Sequence, residues 1–102
     1  MLSIVVPTIT GREESLQRTL DAYAETTSVD YEMIVPKDLK NWPAACNAGY
    51  GDAHYDLIHF GADDLVPLPG WWEEAADLLE REDELPAAFV WDHDLEGEPN
   101  NV

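Results

Sequence analysis

An α/β fold with a mainly parallel sheet of about four strands is predicted by the alternation of apolar runs and amphipathic segments. The first three apolar runs are rich in β-branched and aromatic residues, and are followed directly by Pro7, Pro36 and Gly61. Segments with helical signals separate these runs. Because such an order favours parallel strands with right-handed crossovers, the turns after the three runs should meet at one edge of the sheet.

The first half of the chain predicts two strands and a long helix. Leu2–Val6 is a buried strand closed by proline, and Tyr31–Val35 is a second one. Between them, Thr10 and Glu13 have the spacing of a capping box, in which a threonine oxygen and a glutamate satisfy the first amides of a helix. The apolar residues that follow keep helical spacing to about Thr26.

The second half predicts two helices and two further strands. A short helix begins near Pro43, where proline suits the first turn. Tyr55–Phe60 forms a third strand, and a helix follows Pro69-Gly70 with at least one of its two tryptophans packed under the sheet. Leu85–Trp91 is a fourth strand. Residues 1–91 then form one domain, followed by an acidic, flexible tail at 92–102.

The net charge of −17 across 102 residues is strongly lopsided. Residues 52–102 hold fifteen of the 22 acids and only one base, Arg81, whereas Arg12, Arg18, Lys37 and Lys40 lie in the first half. Such a surface repels nucleic acids and anionic membranes. An anionic ligand is therefore expected to approach near the first-half bases or through a bound cation, although an acidic half that docks a basic partner is an alternative.

Targeting and redox signals predict a cytoplasmic protein. The sequence has no apolar run of 18 residues and no secretory leader, so no membrane span is expected. Its single cysteine, Cys46, excludes an internal disulfide framework and fits a reducing compartment.

Two adjacent carboxylates, Asp63 and Asp64, follow the third strand. Open α/β sheets bind ligands beyond the carboxyl ends of their strands, and carboxylates there suit a divalent cation that holds phosphates. A simple turn is the alternative, because aspartates are common in turns. The same edge should also hold Thr8–Arg12 and Lys37–Lys40, which adds cations beside the carboxylates and predicts a nucleotide-diphosphate site.

Five segments, in order, resemble the amino-terminal half of a family 2 inverting glycosyltransferase. They cover about residues 3–80, and they are Ser3–Thr8, Glu14–Leu20, Tyr31–Val35, Asn47–Gly49 and Asp63-Asp64 with Pro67–Trp71. The resemblance implies a three-layer α/β/α, Rossmann-like minimal GT-A domain. It also implies a nucleotide diphosphate sugar as ligand and Mg²⁺ or Mn²⁺ as cofactor.

The site residues implied by this resemblance come from the turns after the three strands. The nucleoside would contact Pro7, Thr8 and Asp38; the phosphates would lie near Arg12 or Lys37; Asp63 would ligate the metal, with Asp64 as support. Gly61 stands where the metal motif has its first aspartate, and the loop at Lys37 departs from the family pattern.

The family's acceptor half and its general base lie beyond the part that this chain resembles. Inverting transfer needs a base for the acceptor hydroxyl, and Asp92, His93 and Asp94 are the candidates here, unless they form only an exposed acidic loop. A homodimer or a partner chain would otherwise supply the acceptor half and cover the sheet edge. The alternative function is a non-catalytic remnant or interaction module that retains the nucleotide-binding fold.

Overall fold

The computed structural model describes residues 1–81, 92–93 and 99–100. The described part contains three helices and five short strands. In chain order they are β1 (Leu2–Val5), α1 (Glu13–Thr26), β2 (Tyr31–Ile34), α2 (Trp42–Asp52), β3 (Leu57–Phe60), α3 (Trp71–Arg81), β4 (Asp92–His93) and β5 (Pro99–Asn100). None of the described helices has the length and apolar character that a membrane crossing requires.

The main sheet has the strand order β2-β1-β3, and both strand pairs are parallel. Leu2 pairs with Tyr31 on one side and with Leu57 on the other, so the three strands start in step. The α/β class and the parallel sheet are confirmed. The described sheet has three strands rather than about four, and the fourth strand predicted at Leu85–Trp91 lies outside the described residues.

A separate pair of two-residue strands lies within the segment predicted to be a tail. Asp92 pairs with Asn100 and His93 with Pro99, in antiparallel register. These four residues therefore have a backbone partner within the segment itself.

The core is built on the central strand β1, which is buried throughout. Leu2, Ile4 and Val6 pack with Tyr23 of α1 and Trp71 of α3. Trp71 is 5% exposed and its indole N–H donates to the Thr26 hydroxyl at 3.1 Å, which satisfies the polar atom of a buried ring. The expectation that a tryptophan of this helix packs inside is confirmed.

The opposite side of β1 meets α2 at Gly49. A Cβ at Gly49 would overlap the side chain of Val5, so helix and strand approach too closely for any larger residue. The Asn-Ala-Gly segment of the sequence thus has a packing role at its glycine. Helix α2 starts at Trp42, close to the start predicted near Pro43. The Asn41 side chain caps this helix by accepting a hydrogen bond from the Ala44 amide at 2.9 Å.

The start of α1 differs from the predicted capping box. Arg12 is the N-cap residue and provides no side-chain cap, while Glu13 accepts a hydrogen bond from the Gly11 amide at 2.7 Å. The Thr10 hydroxyl instead donates to Asp38, in the loop after β2. The Thr10 hydroxyl is therefore hydrogen-bonded to the distant Asp38 carboxylate and does not cap α1 as the capping-box pattern predicts.

Candidate functional site

The turns after all three parallel strands meet at the carboxyl edge of the sheet. Thr8, which follows β1, forms a parallel bridge with Lys37, which follows β2. The amide of Thr8 donates to the Pro36 carbonyl at 3.0 Å, and the amide of Asp38 donates to the Thr8 carbonyl at 3.1 Å. These bonds extend the sheet pairing into the loops, and they place the predicted site residues side by side.

Asp63 is the centre of this edge. Its carboxylate atom Oδ2 accepts from the Thr8 hydroxyl at 2.8 Å and from Arg12 Nε at 2.8 Å. The residue is only 8% exposed, so these two donors, rather than bulk water, satisfy the oxygen. Three of the predicted site residues thus form one contiguous group.

The backbone of Asp63 is held as firmly as its side chain. Its carbonyl oxygen accepts from the Ser15 hydroxyl at 2.6 Å and from the Thr19 hydroxyl at 3.0 Å, and Thr19 is itself buried. Sequence reasoning missed both residues. Their signal was two hydroxyls four positions apart, which lie on one face of a helix.

Asp64 and Arg12 form the exposed part of the group. The Asp64 side chain is 66% exposed, and its Oδ2 atom lies 3.9 Å from a terminal nitrogen of Arg12. The hydrogen bond to Asp63, the charge of Asp63 and, more weakly, that of Asp64 raise the pKa of Arg12. The guanidinium therefore remains charged, and it stands between two carboxylates.

Asp38 faces the site from the loop after β2 in a left-handed backbone conformation, with φ of +58°. Its Oδ1 atom accepts from the Thr10 amide and its Oδ2 atom from the Thr10 hydroxyl, both at 2.6 Å. These bonds lower the pKa of Asp38. The carboxylate that the family resemblance assigns to the nucleoside thus already braces the turn after β1.

Gly61 directly follows β3, and its amide donates to the Val5 carbonyl of β1 at 2.8 Å. A Cβ on this residue would clash with the Tyr23 hydroxyl, which bonds to His59 Nε2 at 2.8 Å. An aspartate in the first position of the metal motif would therefore have no room here. The packing of Tyr23 therefore favours glycine at position 61.

Of the remaining predicted residues, Pro7 and Lys37 lie at the same edge, beside Thr8. Pro7 is buried, and Lys37 is exposed. Asp92 and His93 form β4, and the structure does not describe their side chains; Asp94 lies outside the described residues. In the part of the chain that the structure describes, no group of three or more histidine, cysteine, aspartate or glutamate residues could hold a metal ion.

A second polar group lies near the amino ends of the strands, away from this edge. Glu32 of β2 accepts from the Ser3 hydroxyl at 2.6 Å and from the His54 amide at 2.7 Å, while His54 Nδ1 lies 2.8 Å from its other oxygen. These bonds, that from Ser3 first, lower the pKa of Glu32 to about 2. The same carboxylate raises the pKa of His54 above 6.5.

We expect this pair to make the free energy of unfolding fall as the pH rises from 6.5 through the higher folded-state pKa of His54. A raised histidine pKa stabilises the fold fully below 6.5 and loses that contribution as the pH passes the folded-state value. Glu32 contributes above 4.5 and loses its effect only towards pH 2. Melting temperatures of wild type and His54→Ala should therefore differ more at pH 5.5 than at pH 8.5. An equal difference at both pH values would contradict the pairing.

Comparison of the chain with protein-family models, with curated proteins and with solved structures found no match.

Proposed function

We propose that this protein binds a nucleotide diphosphate sugar through Mg²⁺ or Mn²⁺ at the carboxyl edge of its parallel sheet. Glycosyl transfer would follow where an oligomer or a partner chain supplies the acceptor half. The observation that carries the proposal is that Thr8 and Arg12, in the turn after β1, both donate to one carboxylate oxygen of Asp63, in the turn after β3. Ligands of open α/β sheets bind at this edge.

The donor groups suit a cation that takes most of its ligands from the nucleotide. Mg²⁺ in such sites is held by one or two carboxylates, together with phosphate oxygens and water. Asp63 and Asp64 offer the carboxylates, and the bound metal would neutralise charge on the departing diphosphate. Arg12 is 41% exposed and is a further cation for the phosphates.

The fold we propose is a three-layer, Rossmann-like minimal GT-A domain. The packing of Tyr23 and Trp71 with alternate residues of β1 supports one helical layer, and the close approach of Gly49 to Val5 supports a second on the other face. Residues on alternate positions of a strand point to opposite faces.

A non-catalytic remnant is the second candidate, and two observations favour it. The Tyr23 hydroxyl excludes a side chain at position 61, and both carboxylate oxygens of Asp38 are bonded to Thr10. Two groups that would hold a nucleoside are therefore absent or already used. A non-catalytic remnant would retain the arrangement of residues at the carboxyl edge but would not bind a nucleotide.

Calorimetric titration with uridine and guanosine diphosphates, with and without Mn²⁺, separates these candidates. We expect Mn²⁺-dependent binding by the wild type and a loss of at least about tenfold in affinity in Asp63→Asn, because one charge-assisted ligand is removed. Asp56→Asn is the matched control, since it removes an exposed carboxylate at the amino end of β3. A folded protein that binds neither nucleotide would support the remnant instead.

A further inference from the structure

We infer that a cavity near the amino ends of the strands binds a lysine or arginine side chain of a basic partner protein. The cavity has a volume of about 300 Å³ and is lined by residues between the end of α2 and the start of β3, which are Tyr50, Ala53, His54, Tyr55, Asp56 and Ile58. Such a volume is at the small end of ligand pockets, so it suits one side chain better than a whole nucleotide. The inference concerns the opposite end of the strands from the carboxyl edge and does not depend on the nucleotide site.

The lining of this cavity combines aromatic residues with a carboxylate. Tyr50 is 65% exposed near the end of α2, Tyr55 is partly exposed, and Asp56 is exposed beside it. Ammonium and guanidinium groups are attracted both to aromatic faces and to carboxylates. The cavity therefore offers two kinds of contact for the charged head of a lysine or arginine, while Ala53 and Ile58 offer apolar contacts for its stem.

His54 adds a hydrogen-bond acceptor to the lining, because its neutral ring is held in one tautomer. Its Nδ1 atom lies 2.8 Å from Oε1 of Glu32, and hydrogen bonds, that from the Ser3 hydroxyl first, lower the pKa of Glu32 to about 2. An ionised carboxylate can only accept, so Nδ1 donates and the lone pair of the neutral ring is on Nε2. The His54 side chain is 78% exposed, so this lone pair is accessible to an ammonium or guanidinium donor.

Charge complementarity favours a basic partner for this surface. The chain has a net charge of −17, and residues 41–80, which contain the cavity, include eight acids and no lysine or arginine. The field of such a surface attracts cationic groups before contact and raises the rate of encounter. The same field disfavours an anionic occupant of the cavity.

Protonation of His54 should weaken the binding. The carboxylates around its ring are Glu32 of β2, Asp52 of α2 and Asp56 of the cavity lining; the hydrogen bond and the charge of Glu32 and, more weakly, the charge of Asp52 raise the pKa of His54 above 6.5. A protonated imidazole has no acceptor at Nε2 and repels a cation. Lysine and arginine keep their charge from pH 5.5 to pH 8.5, so the affinity should rise with pH as His54 loses its proton.

Fluorescence anisotropy of a labelled peptide of alternating glycine and arginine tests the site, with a citrulline peptide as the uncharged control. We expect the wild type to bind the arginine peptide only. Asp56→Asn should weaken binding about fivefold, because one ion pair is lost. Tyr50→Leu should weaken it about threefold, whereas Tyr50→Phe keeps the aromatic face and the affinity. Glu14→Gln, the matched control, makes the same charge change as Asp56→Asn in the first turn of α1 and should bind like the wild type.

The pH dependence gives a second, independent readout. Wild-type affinity should rise about threefold or more between pH 5.5 and pH 8.5, and His54→Gln, which does not titrate, should lose this rise. An equal pH dependence in His54→Gln, equal losses in Glu14→Gln and Asp56→Asn, or binding of the citrulline peptide as tight as that of the arginine peptide would overturn the inference. Circular dichroism checks the fold of each variant. If His54→Gln does not fold, the substitutions at the exposed Tyr50 and Asp56 side chains still decide the outcome.

Discussion

Gly61→Ala should destabilise the protein by about 2 kcal/mol, because an added methyl group at this position overlaps the Tyr23 hydroxyl. Tyr23 is 1% exposed and packs edge-on against Trp71, so it has little room to withdraw. Gly61→Asp, which would complete the family's metal motif, meets the same clash at its Cβ and should cost at least as much. Denaturant unfolding measures both.

A double-mutant cycle with Tyr23→Phe tests the cause. Loss of the hydroxyl removes the clashing atom, and the next ring carbon would lie 3.4 Å from the new Cβ, which is ordinary contact. Tyr23→Phe alone should cost about 1 kcal/mol, since His59 loses its hydrogen bond. In that background Gly61→Ala should cost less than about 1 kcal/mol. An undiminished cost would show that the hydroxyl is not the obstacle.

Gly51→Ala is the control for this cycle. Gly51 lies in α2, and its added Cβ would meet nothing within 4 Å. Alanine has the higher helix propensity by about 1 kcal/mol, so this variant should be as stable as the wild type or more stable. A loss comparable to that of Gly61→Ala would indicate a general intolerance of glycine replacement instead of a specific clash.

The elements of this fold could be read from the sequence because their signals are local. Proline at position 7 and at position 36 marks the strand ends to within one residue, and Pro43 marks the first turn of α2. The meeting of the turns at one edge followed from parallel strand order. It correctly placed Thr8, Arg12 and Asp63 together.

The contacts that decide the chemistry of the site are long-range, so the sequence pattern did not show them. The capping-box spacing could not reveal that Thr10 bonds to Asp38, which lies 28 positions away. Nor could a glycine in a motif position reveal that a tyrosine 38 positions earlier fills the space of its side chain. Local sequence patterns describe only neighbours along the chain. In the folded protein, a distant residue determines the contact at both positions: Asp38 accepts from Thr10, and Tyr23 fills the space beside Gly61.

His59 should make the protein acid-sensitive between pH 6.5 and about 4. Burial against Tyr23 and Trp71 lowers the pKa of His59 to about 4, so the folded state holds the imidazole neutral while the unfolded chain takes up a proton near pH 6.5. The free energy of unfolding therefore falls as the pH drops through this window and levels off below it. The full pKa difference corresponds to about 3 kcal/mol, and partial exposure of the ring reduces our expectation to about 2 kcal/mol.

Urea unfolding of wild type and His59→Gln at pH 7.5 and pH 4 isolates this effect. The glutamine amide can keep a hydrogen bond to the Tyr23 hydroxyl, yet it does not titrate. His54 and the many surface acids also titrate in this range, but their contributions are shared by both proteins and cancel in the difference. The wild type should therefore lose about 2 kcal/mol more than His59→Gln between the two pH values. A parallel loss in both proteins would show that His59 is protonated as readily in the fold as in the unfolded chain, and that the Tyr23–His59–Trp71 cluster is open to water.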